Sequence, residues 1–169
     1  CENTLVMDEA VLGTEARKQD YTRKGKAAFI KAYNPEHSDL WKYTQNRLWG
    51  FINLANRITF GFDVNYIDEI QYTEYGVGDF YDWHVDTILE TPTVYHRKLS
   101  LTLQLSDGND YEGGDFEIHY VAGGDMPLDT LRKKGTIIVF PSFLSHRVTP
   151  ITKGVRKSLV AWFEGKEFK

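Results

Sequence analysis

The chain of 169 residues contains one cysteine, Cys1, at its first position. A single cysteine cannot build an intramolecular disulfide framework, and it cannot supply a zinc site that uses several thiolates. Both of these ways of holding a small domain together are therefore excluded. A composition this poor in cysteine is typical of a reducing compartment, so a cytoplasmic location is expected.

Long apolar runs are also absent from the sequence. No segment approaches the roughly 20 apolar residues of a membrane-spanning helix, and no signal-peptide pattern opens the chain. No membrane association is therefore expected. The first residues, CENTLVMDEA, look like the interior of a helix and do not begin with methionine, so we expect N-terminal residues to be missing. The pattern predicts a short helix around residues 2–12.

An excess of positive charge is missing as well. The chain carries 20 Lys and Arg against 24 Asp and Glu, which gives a net charge of −4. A surface that binds nucleic acid is usually basic, so nucleic acid is not expected as a partner. Two short basic runs, RKGK over residues 23–26 and LRKK over residues 131–134, are predicted to be solvated surface.

The pattern of the residues that are present changes near position 65. Before it, a helix is predicted from about residue 38 to 59, with Ser38 as its N-cap. Its apolar residues recur at helical spacing and define the face that is expected to be buried: Leu48, Phe51, Ile52, Ala55 and Ile58.

After position 65 the apolar period shortens to two, which is typical of β-strands. Five segments rich in β-branched and aromatic residues predict strands: YIDEIQYTEY, RKLSLTLQLS, DFEIHYV, GTIIVFP and RKSLVAWFEG. Helices followed by a run of short strands predict an α+β fold, a double-stranded β-helix (jelly roll) with supporting N-terminal helices. We expect one domain over residues 1–169, with helical support in 1–64 and the jelly-roll core in 65–165.

The stretch YGVGDFYDWHVDT places His84 two residues before Asp86. On a strand these two side chains point to the same face, so they are candidates for two of the three protein ligands of a metal site, which the rest of the sequence has to complete. His146, in VFPSFLSHRVTP, follows an apolar strand and is the candidate for the third ligand. His96 and His119 are interpreted as loop or surface residues, and His37 as a residue that precedes a helix.

Arg156 lies ten residues after His146 on a predicted apolar strand. A buried arginine requires an anionic partner, so Arg156 is predicted to hold the carboxylate of a small ligand, with the hydroxyl of Ser158 on the same strand face. Two histidines and one carboxylate leave three positions open on an octahedral metal. That arrangement is the facial triad of non-haem Fe(II) enzymes.

At these positions the sequence resembles the prolyl-hydroxylase-like family of 2-oxoglutarate/Fe(II) dioxygenases. The family's Tyr-x-x-Gly-x-x-Tyr-x-x-His-x-Asp segment matches Tyr75, Gly78, Tyr81, His84 and Asp86. The segment HRVTPITKGVRKSLVAW resembles the one that carries the family's second histidine and its basic residue, and YEGGDFEI resembles the family's Gly-Gly turn. The resemblance extends over roughly residues 65–164.

The resemblance implies a role for each matching residue. The Fe(II) ligands would be His84, Asp86 and His146. Arg156, assisted by Ser158, would pair with the distal carboxylate of 2-oxoglutarate. The other residues of the implied cosubstrate pocket are Tyr75, which would hydrogen-bond 2-oxoglutarate, with Thr102, Gln104 and Trp162. Gln104 departs from the family, because many prolyl hydroxylases have a tyrosine near this position.

The implied activity is hydroxylation of a C–H bond with O₂, coupled to conversion of 2-oxoglutarate to succinate and CO₂. The expected substrate is a prolyl residue in a peptide or protein, and ascorbate is expected as a reductant. The polar segment Thr87–Arg97 is expected to be a loop that closes over the substrate. Three alternatives stay open: an enzyme of this fold acting on a small molecule, a free amino acid or a nucleobase; a cupin-like metalloenzyme that does not use 2-oxoglutarate; and a non-catalytic binding module.

Overall fold

The computed structural model of the chain describes residues 7–9, 22–31, 34–87, 94–119 and 128–168. Within these ranges the helices are α1 (Ser38–Ala55) and α2 (Leu128–Arg132), with a 3₁₀ turn (Pro35–His37) before α1 and a π-helical turn (Asn56–Phe60) after it. The strands are β1 (Asp8–Glu9), β2 (Arg23–Lys24), β3 (Lys26–Ile30), β4 (Tyr66–Tyr75), β5 (Phe80–His84), β6 (Tyr95–Gln104), β7 (Tyr111–Gly113), β8 (Phe116–Ile118), β9 (Ile137–Pro141), β10 (His146–Val148), β11 (Ile151–Gly154) and β12 (Arg156–Lys166).

The strands form two main sheets. The larger sheet has the strand order β1-β3-β4-β12-β6-β9, the smaller has the order β2-β5-β10-β8, and β11 pairs with β7. All of these pairings are antiparallel. The chain passes repeatedly from one main sheet to the other, as it does between β4 and β5 and between β9 and β10. This winding confirms the predicted α+β jelly roll.

Side chains of β12, in the middle of the larger sheet, alternate between two environments. Leu159, Ala161 and Phe163 are buried in one apolar core together with Leu48 and Ile52 of α1. Burying a large apolar side chain contributes about 1.5–3 kcal/mol relative to leaving it exposed, so this contact anchors α1 on the sheet. A second apolar cluster consists of Tyr75, Tyr111, Phe116, Phe140, Val148 and Ile151.

The opposite face of the larger sheet is polar although it is buried. Seven polar residues on this face each expose 4% of their surface or less: Gln71, Thr73, Ser100, Thr102, Gln104, Arg156 and Ser158. Burying polar groups without partners costs free energy, so the inner face of a sheet is normally apolar. The polar row therefore indicates that the interior of the barrel receives a ligand.

The N-terminal part of the chain is less helical than predicted. The helix expected around residues 2–12 is wrong where the structure describes it, because Asp8–Glu9 form β1 and pair with β3. Apart from Met7, the rest of that stretch lies outside the described residues. The segment 1–64, predicted as helical support, also contains β2 and β3. A strand at the edge of a sheet pairs its backbone N–H and C=O groups with those of its neighbour, whereas a short helix without tertiary packing is only marginally stable. The strand is therefore favoured here.

The start of α1 differs in its capping from the prediction. Ser38 is the first helical residue and not the N-cap. The 3₁₀ turn runs directly into α1, and Asn34 caps that turn by accepting a hydrogen bond of 3.0 Å from the backbone N–H of Glu36. The cap therefore lies four residues before Ser38, because the extra turn moves the helical start towards the N-terminus.

The buried face of α1 is narrower than its apolar residues suggest. It runs through Thr44, Leu48 and Ile52, whereas Phe51 and Ile58, which were predicted to be buried, expose 47% and 69% of their surface. One residue along a helix turns the side chain by about 100°, so Phe51 points away from the sheet that Ile52 contacts. In the described part of the chain, none of the helices combines the length and the apolar character that crossing a membrane requires.

Candidate metal and anion site

Two histidines meet where β5 ends and β10 begins. His84 is the last residue of β5, His146 is the first residue of β10, and the two are direct partners in the antiparallel register. Asp86 lies two residues beyond β5, with Oδ1 3.6 Å from Nε2 of His84 and Oδ2 3.5 Å from Nε2 of His146. One ligand atom from each residue lies within 4.8 Å of the other two. This spacing suits three donors around one metal ion.

Backbone hydrogen bonds orient both imidazole rings. Nδ1 of His84 lies 2.8 Å from the carbonyl oxygen of Asp82, and Nδ1 of His146 lies 2.9 Å from that of Leu144. A carbonyl oxygen only accepts, so Nδ1 is the donor in each ring. Nε2, the nitrogen nearest Asp86, is therefore the one left to bind a metal, which is the ring orientation that a metal site requires.

The charge state of His84 agrees with a ligand role. Burial first and the neighbouring His146 second lower the pKa of His84, which comes to about 4 although the hydrogen bond that its Nδ1–H donates to the carbonyl of Asp82 and the charge of Asp86 raise it. His84 is therefore neutral near pH 7. Its contact with Asp86 at 3.6 Å is then neither an ion pair nor, at that length, a hydrogen bond. A shared cation would account for the spacing better than a direct contact does.

The carboxylate of Asp86 is placed by hydrogen bonds beyond the strand. We predicted that His84 and Asp86 share one strand face, but β5 ends at His84. The backbone N–H groups of Asp86 and Thr87 both donate to the carbonyl of Ser142, at 2.9 and 3.2 Å. The hydroxyl of Ser100 on β6 donates to Oδ2 of Asp86 at 2.6 Å. These contacts replace the strand ladder, which explains why Asp86 keeps a defined position outside it.

Arg156 is the other conspicuous group in the interior. It exposes 1% of its surface, and its Nε and Nη2 have no hydrogen-bond partner among the described residues. Burial lowers the pKa of Arg156, while Tyr111, through its charge and a hydrogen bond, and Tyr75 oppose that shift. Tyr75 is the direct partner of Arg156 across β4 and β12. A buried guanidinium with two unused donors fits a carboxylate, which accepts two parallel hydrogen bonds.

Both groups open into one cavity, whose empty space is about 460 Å³ including the solvent at its mouth. The predicted site residues that line it are His84, Asp86, His146, Arg156, Tyr75, Thr102, Ser158 and Trp162. Gln104 is buried as the register partner of Ser158, but it does not line the cavity. The structure thus brings together every predicted site residue except Gln104.

The sequence analysis missed two polar lining residues, Arg23 and Gln71. Arg23 belongs to the run RKGK, which was predicted to be solvated surface, and it is in fact 8% exposed. The second basic run is also misassigned in part, because Arg132 pairs with Asp115 at 2.6 Å and hydrogen-bonds three backbone carbonyls. Gln71 could have been found, since alternation on β4 places it on the same face as Tyr75.

The other sequence predictions around the site have mixed outcomes. His119 is exposed, as predicted, with its ring against Trp83. His96 is half-buried within β6 and does not lie in a loop. The loop predicted over Thr87–Arg97 is shorter than expected, because β6 begins at Tyr95. Residues 88–93 lie outside the described part of the chain, so its closure stays a prediction.

Comparison with known protein sequences identifies one family for this chain. A sequence model described as the 2OG-Fe(II) oxygenase superfamily matches residues 70–164. A PKHD-type hydroxylase of Synechococcus sp. (strain CC9902) is 43% identical over 90 residues, which is 52% of this chain and 37% of that protein. A PKHD-type hydroxylase of Gloeothece citriformis (strain PCC 7424) is 34% identical over 98 residues, 58% of this chain and 43% of that protein. The matched segment thus spans about two fifths of these relatives.

Solved structures share the fold at low sequence identity. A Pseudomonas putida prolyl-4-hydroxylase superposes with a TM-score of 0.63 at 22% identity, covering 89% of this chain and 77% of that chain. A prolyl hydroxylase from Trichoplax adhaerens, solved with a hypoxia inducible factor peptide fragment, gives 0.66 at 16% identity, covering 96% and 71%. These likenesses support the architecture described above.

Proposed function

The chain belongs to the 2OG-Fe(II) oxygenase superfamily, and from that membership we propose that it is a dioxygenase that hydroxylates a C–H bond using Fe(II), 2-oxoglutarate and O₂. The observation that carries the proposal is the buried guanidinium of Arg156, which has two unused donors in the same cavity as His84, Asp86 and His146. A metal site alone leaves that cation unexplained. A bound dicarboxylate accounts for both features.

In this proposal each residue group has a separate task. His84, Asp86 and His146 hold Fe(II) through the two Nε2 atoms and the carboxylate. Arg156 binds the distal carboxylate of 2-oxoglutarate, with the Ser158 hydroxyl beside it. Bound Fe(II) supplies oxidative chemistry that converts 2-oxoglutarate and O₂ to succinate and CO₂ while a C–H bond becomes C–OH. Tyr75, Thr102 and Trp162 wall the cavity, which limits the access of water to that reaction.

We propose a prolyl residue in a peptide or protein as the substrate. The support is the hydroxylase names of the relatives and the fold shared with prolyl hydroxylases. A small-molecule or free amino acid hydroxylase of the same fold is the second candidate, because the buried second arginine Arg23 suits a compact anionic substrate. A cupin-like metalloenzyme without 2-oxoglutarate is disfavoured, since it gives Arg156 no anionic partner. The cytoplasmic location and the use of ascorbate stay predictions.

The first experiment is an anaerobic titration of the protein with Fe(II) and 2-oxoglutarate, followed by the weak visible charge-transfer band of their chelate. The wild type should develop the band, and Arg156→Ala should need at least tenfold more 2-oxoglutarate to do so. Arg147→Ala is the matched control, since Arg147 is a partly exposed arginine paired with Glu117. A wild type that binds iron without the band would contradict the use of 2-oxoglutarate.

The ligand set is tested separately by Fe(II) binding to histidine variants. His146→Ala should lose tight iron binding, whereas His119→Ala should keep it, because His119 is exposed on the outside of the barrel. Equal iron affinity in both variants would remove His146 from the ligand set.

A further inference from the structure

We propose that Arg23, oriented by Gln71, binds a carboxylate of the primary substrate, so that the enzyme acts on proline that carries or adjoins a free carboxylate. This inference rests on the proposed function. It adds a second anion site, distinct from Arg156, in the same cavity.

Arg23 has the features of an anchor without its ligand. It lies on β2, an edge strand of the smaller sheet, and lines the cavity while exposing only 8% of its surface. Its Nη2 donates to Oε1 of Gln71 on β4 at 3.0 Å, and its Nε has no hydrogen-bond partner in the part of the chain that the structure describes. Among the described residues no carboxylate forms an ion pair with it. A buried cation of this kind is costly unless an anion joins it.

Gln71 determines which donors of the guanidinium remain available. Its amide oxygen accepts one N–H of Nη2 and holds the guanidinium plane, but as a neutral group it cannot balance the charge. Nε has no partner among the described residues, and Nη2 has a second N–H beside the one that Gln71 accepts, so a carboxylate could accept two charge-assisted hydrogen bonds from the guanidinium. A neutral backbone carbonyl would satisfy a single donor and leave the charge unbalanced.

The position of Arg23 relative to the metal site suits a substrate group. Its guanidinium carbon lies 4.7 Å from the ring centre of Tyr81, and that ring stacks on His84 at 3.5 Å with planes 13° apart. Arg23 and Tyr81 are direct partners across β2 and β5. The guanidinium is therefore one aromatic layer away from a proposed metal ligand. A carboxylate held there leaves the adjoining carbons of the same small molecule near the metal.

The cosubstrate does not account for both arginines. Arg156 lies opposite Tyr75 on β4, whereas Arg23 is bonded to Gln71, four residues earlier on the same strand. In the proposed function Arg156 takes the distal carboxylate of 2-oxoglutarate, and the other end of the molecule belongs to the chelate with Fe(II). Neither end is then left for Arg23, so a second molecule supplies its partner.

The test measures binding to the protein loaded with Mn(II) and 2-oxoglutarate, by calorimetry and by thermal shift. Two pairs of probes separate the sources of the carboxylate. L-proline and L-prolinamide represent a free amino acid, and N-acetyl-alanyl-proline and its C-terminal amide represent a peptide end. In at least one pair the acid should bind tenfold or more tightly than the amide, and the pair in which this holds identifies the source.

Variants assign that preference to Arg23. Arg23→Gln should abolish it, and Lys26→Gln should retain it, because Lys26 is an exposed cation on the neighbouring β3. Gln71→Glu gives Arg23 a carboxylate from the protein itself, so it should raise the Tm of the protein and block binding of the acid. This second variant keeps the test valid if Arg23→Gln folds poorly. Equal binding of acid and amide in both pairs, including no binding of either, or a preference that survives Arg23→Gln, overturns the proposal.

The chelate band separates this inference from the proposed function. Arg23→Gln should keep the 2-oxoglutarate affinity of the wild type within about twofold, whereas Arg156→Ala should lose it. If the wild type shows the band but no preference for the acid, only the inference about Arg23 is contradicted. If the wild type shows no band, the proposed function is contradicted. Loss of the band in Arg23→Gln would assign Arg23 to the cosubstrate and overturn the inference.

Discussion

The hydroxyl of Ser100 donates a hydrogen bond of 2.6 Å to Oδ2 of Asp86. Ser100 is fully buried on β6, and its oxygen also lies 2.9 Å from the hydroxyl of Ser142. Ser142 in turn accepts the backbone N–H of Asp86 through its carbonyl. Ser100 on β6 and Ser142 in the turn after β9 thus fix both the carboxylate and the backbone of Asp86. Such contacts behind a ligand orient it and tune its affinity for the metal.

Removing that hydroxyl should weaken the metal site. In Ser100→Ala we expect Fe(II) affinity to fall by about tenfold to a hundredfold, because Asp86 loses the contact that orients its carboxylate. The measurement is an anaerobic Fe(II) titration by calorimetry. Thr136→Ala removes an exposed hydroxyl that bonds only the carbonyl of Thr130, so it should bind iron like the wild type. Unchanged iron affinity in Ser100→Ala would show that the carboxylate is held by its backbone alone.

Arg156 has no anionic partner among the described residues, so replacing it should affect stability and binding in opposite directions. Arg156→Met should leave the Tm of the free protein unchanged or higher, because replacing a buried charge by an apolar side chain of similar size is often neutral or stabilising. The same variant should no longer gain Tm from 2-oxoglutarate. Arg132→Met is the contrast: it removes an ion pair and three carbonyl contacts, and should destabilise the fold by about 3–5 kcal/mol. A large loss of Tm in unliganded Arg156→Met would mean that Tyr111 and the surrounding groups already compensate the buried charge of Arg156.

Two glycines with similar backbones should respond differently to alanine. Gly114 has φ +64° and Gly135 has φ +87°, so alanine costs about 1–2 kcal/mol of backbone strain at either position. A Cβ on Gly114 would also collide with Cδ1 of Ile151 and lie 3.2 Å from Cδ of Arg156, whereas one on Gly135 meets nothing within 4 Å. Gly114→Ala should therefore be the less stable variant by about 1–3 kcal/mol, with weaker 2-oxoglutarate binding. Denaturant unfolding of both variants checks this, and equal stabilities would contradict it.

A cluster of carboxylates should make stability depend on pH. Burial raises the pKa of Glu164, with a further rise from Asp68 and Glu69 that Arg97 partly offsets. A raised carboxyl pKa means that the charged form opposes folding. The loss of stability is therefore present above the folded pKa and disappears as the pH falls below the unfolded value of 4.5. Glu164→Gln should raise the Tm at pH 7 by about 1–2 °C, and this gain should vanish below pH 4.5.

The control for this prediction is a carboxyl group whose pKa is shifted in the opposite direction, Glu112. A hydrogen bond from Lys153 lowers the pKa of Glu112, so Glu112→Gln should give no gain of Tm at pH 7. Thermal unfolding of both variants across pH 4–8 makes the comparison. A gain of Glu164→Gln that persists at pH 4 would point to packing and not to charge.

Much of the site could be predicted because alternation is a local property of an extended backbone. Tyr75, Thr102, Ser158 and Arg156 all line the cavity, and each lies on a strand predicted from the period of its apolar neighbours. The apolar side chains on one face of β12 pack against α1, so the alternate, polar side chains face the interior of the barrel. The residues that form strands and the side of each strand that enters the barrel therefore follow from the sequence by itself.

Only the tertiary structure decided which distant residues complete the site. Asp86 is placed by Ser100 and Ser142, which come from elsewhere in the chain and lie outside its strand. The residues next to Arg23 in sequence predict an exposed cation. Arg23 is buried because β2 pairs with β5 and its side chain reaches Gln71. Local patterns record the backbone geometry of neighbours in sequence, whereas these contacts depend on how the two sheets close on each other. The residue pattern of a single strand carries no information on how the two sheets pack together.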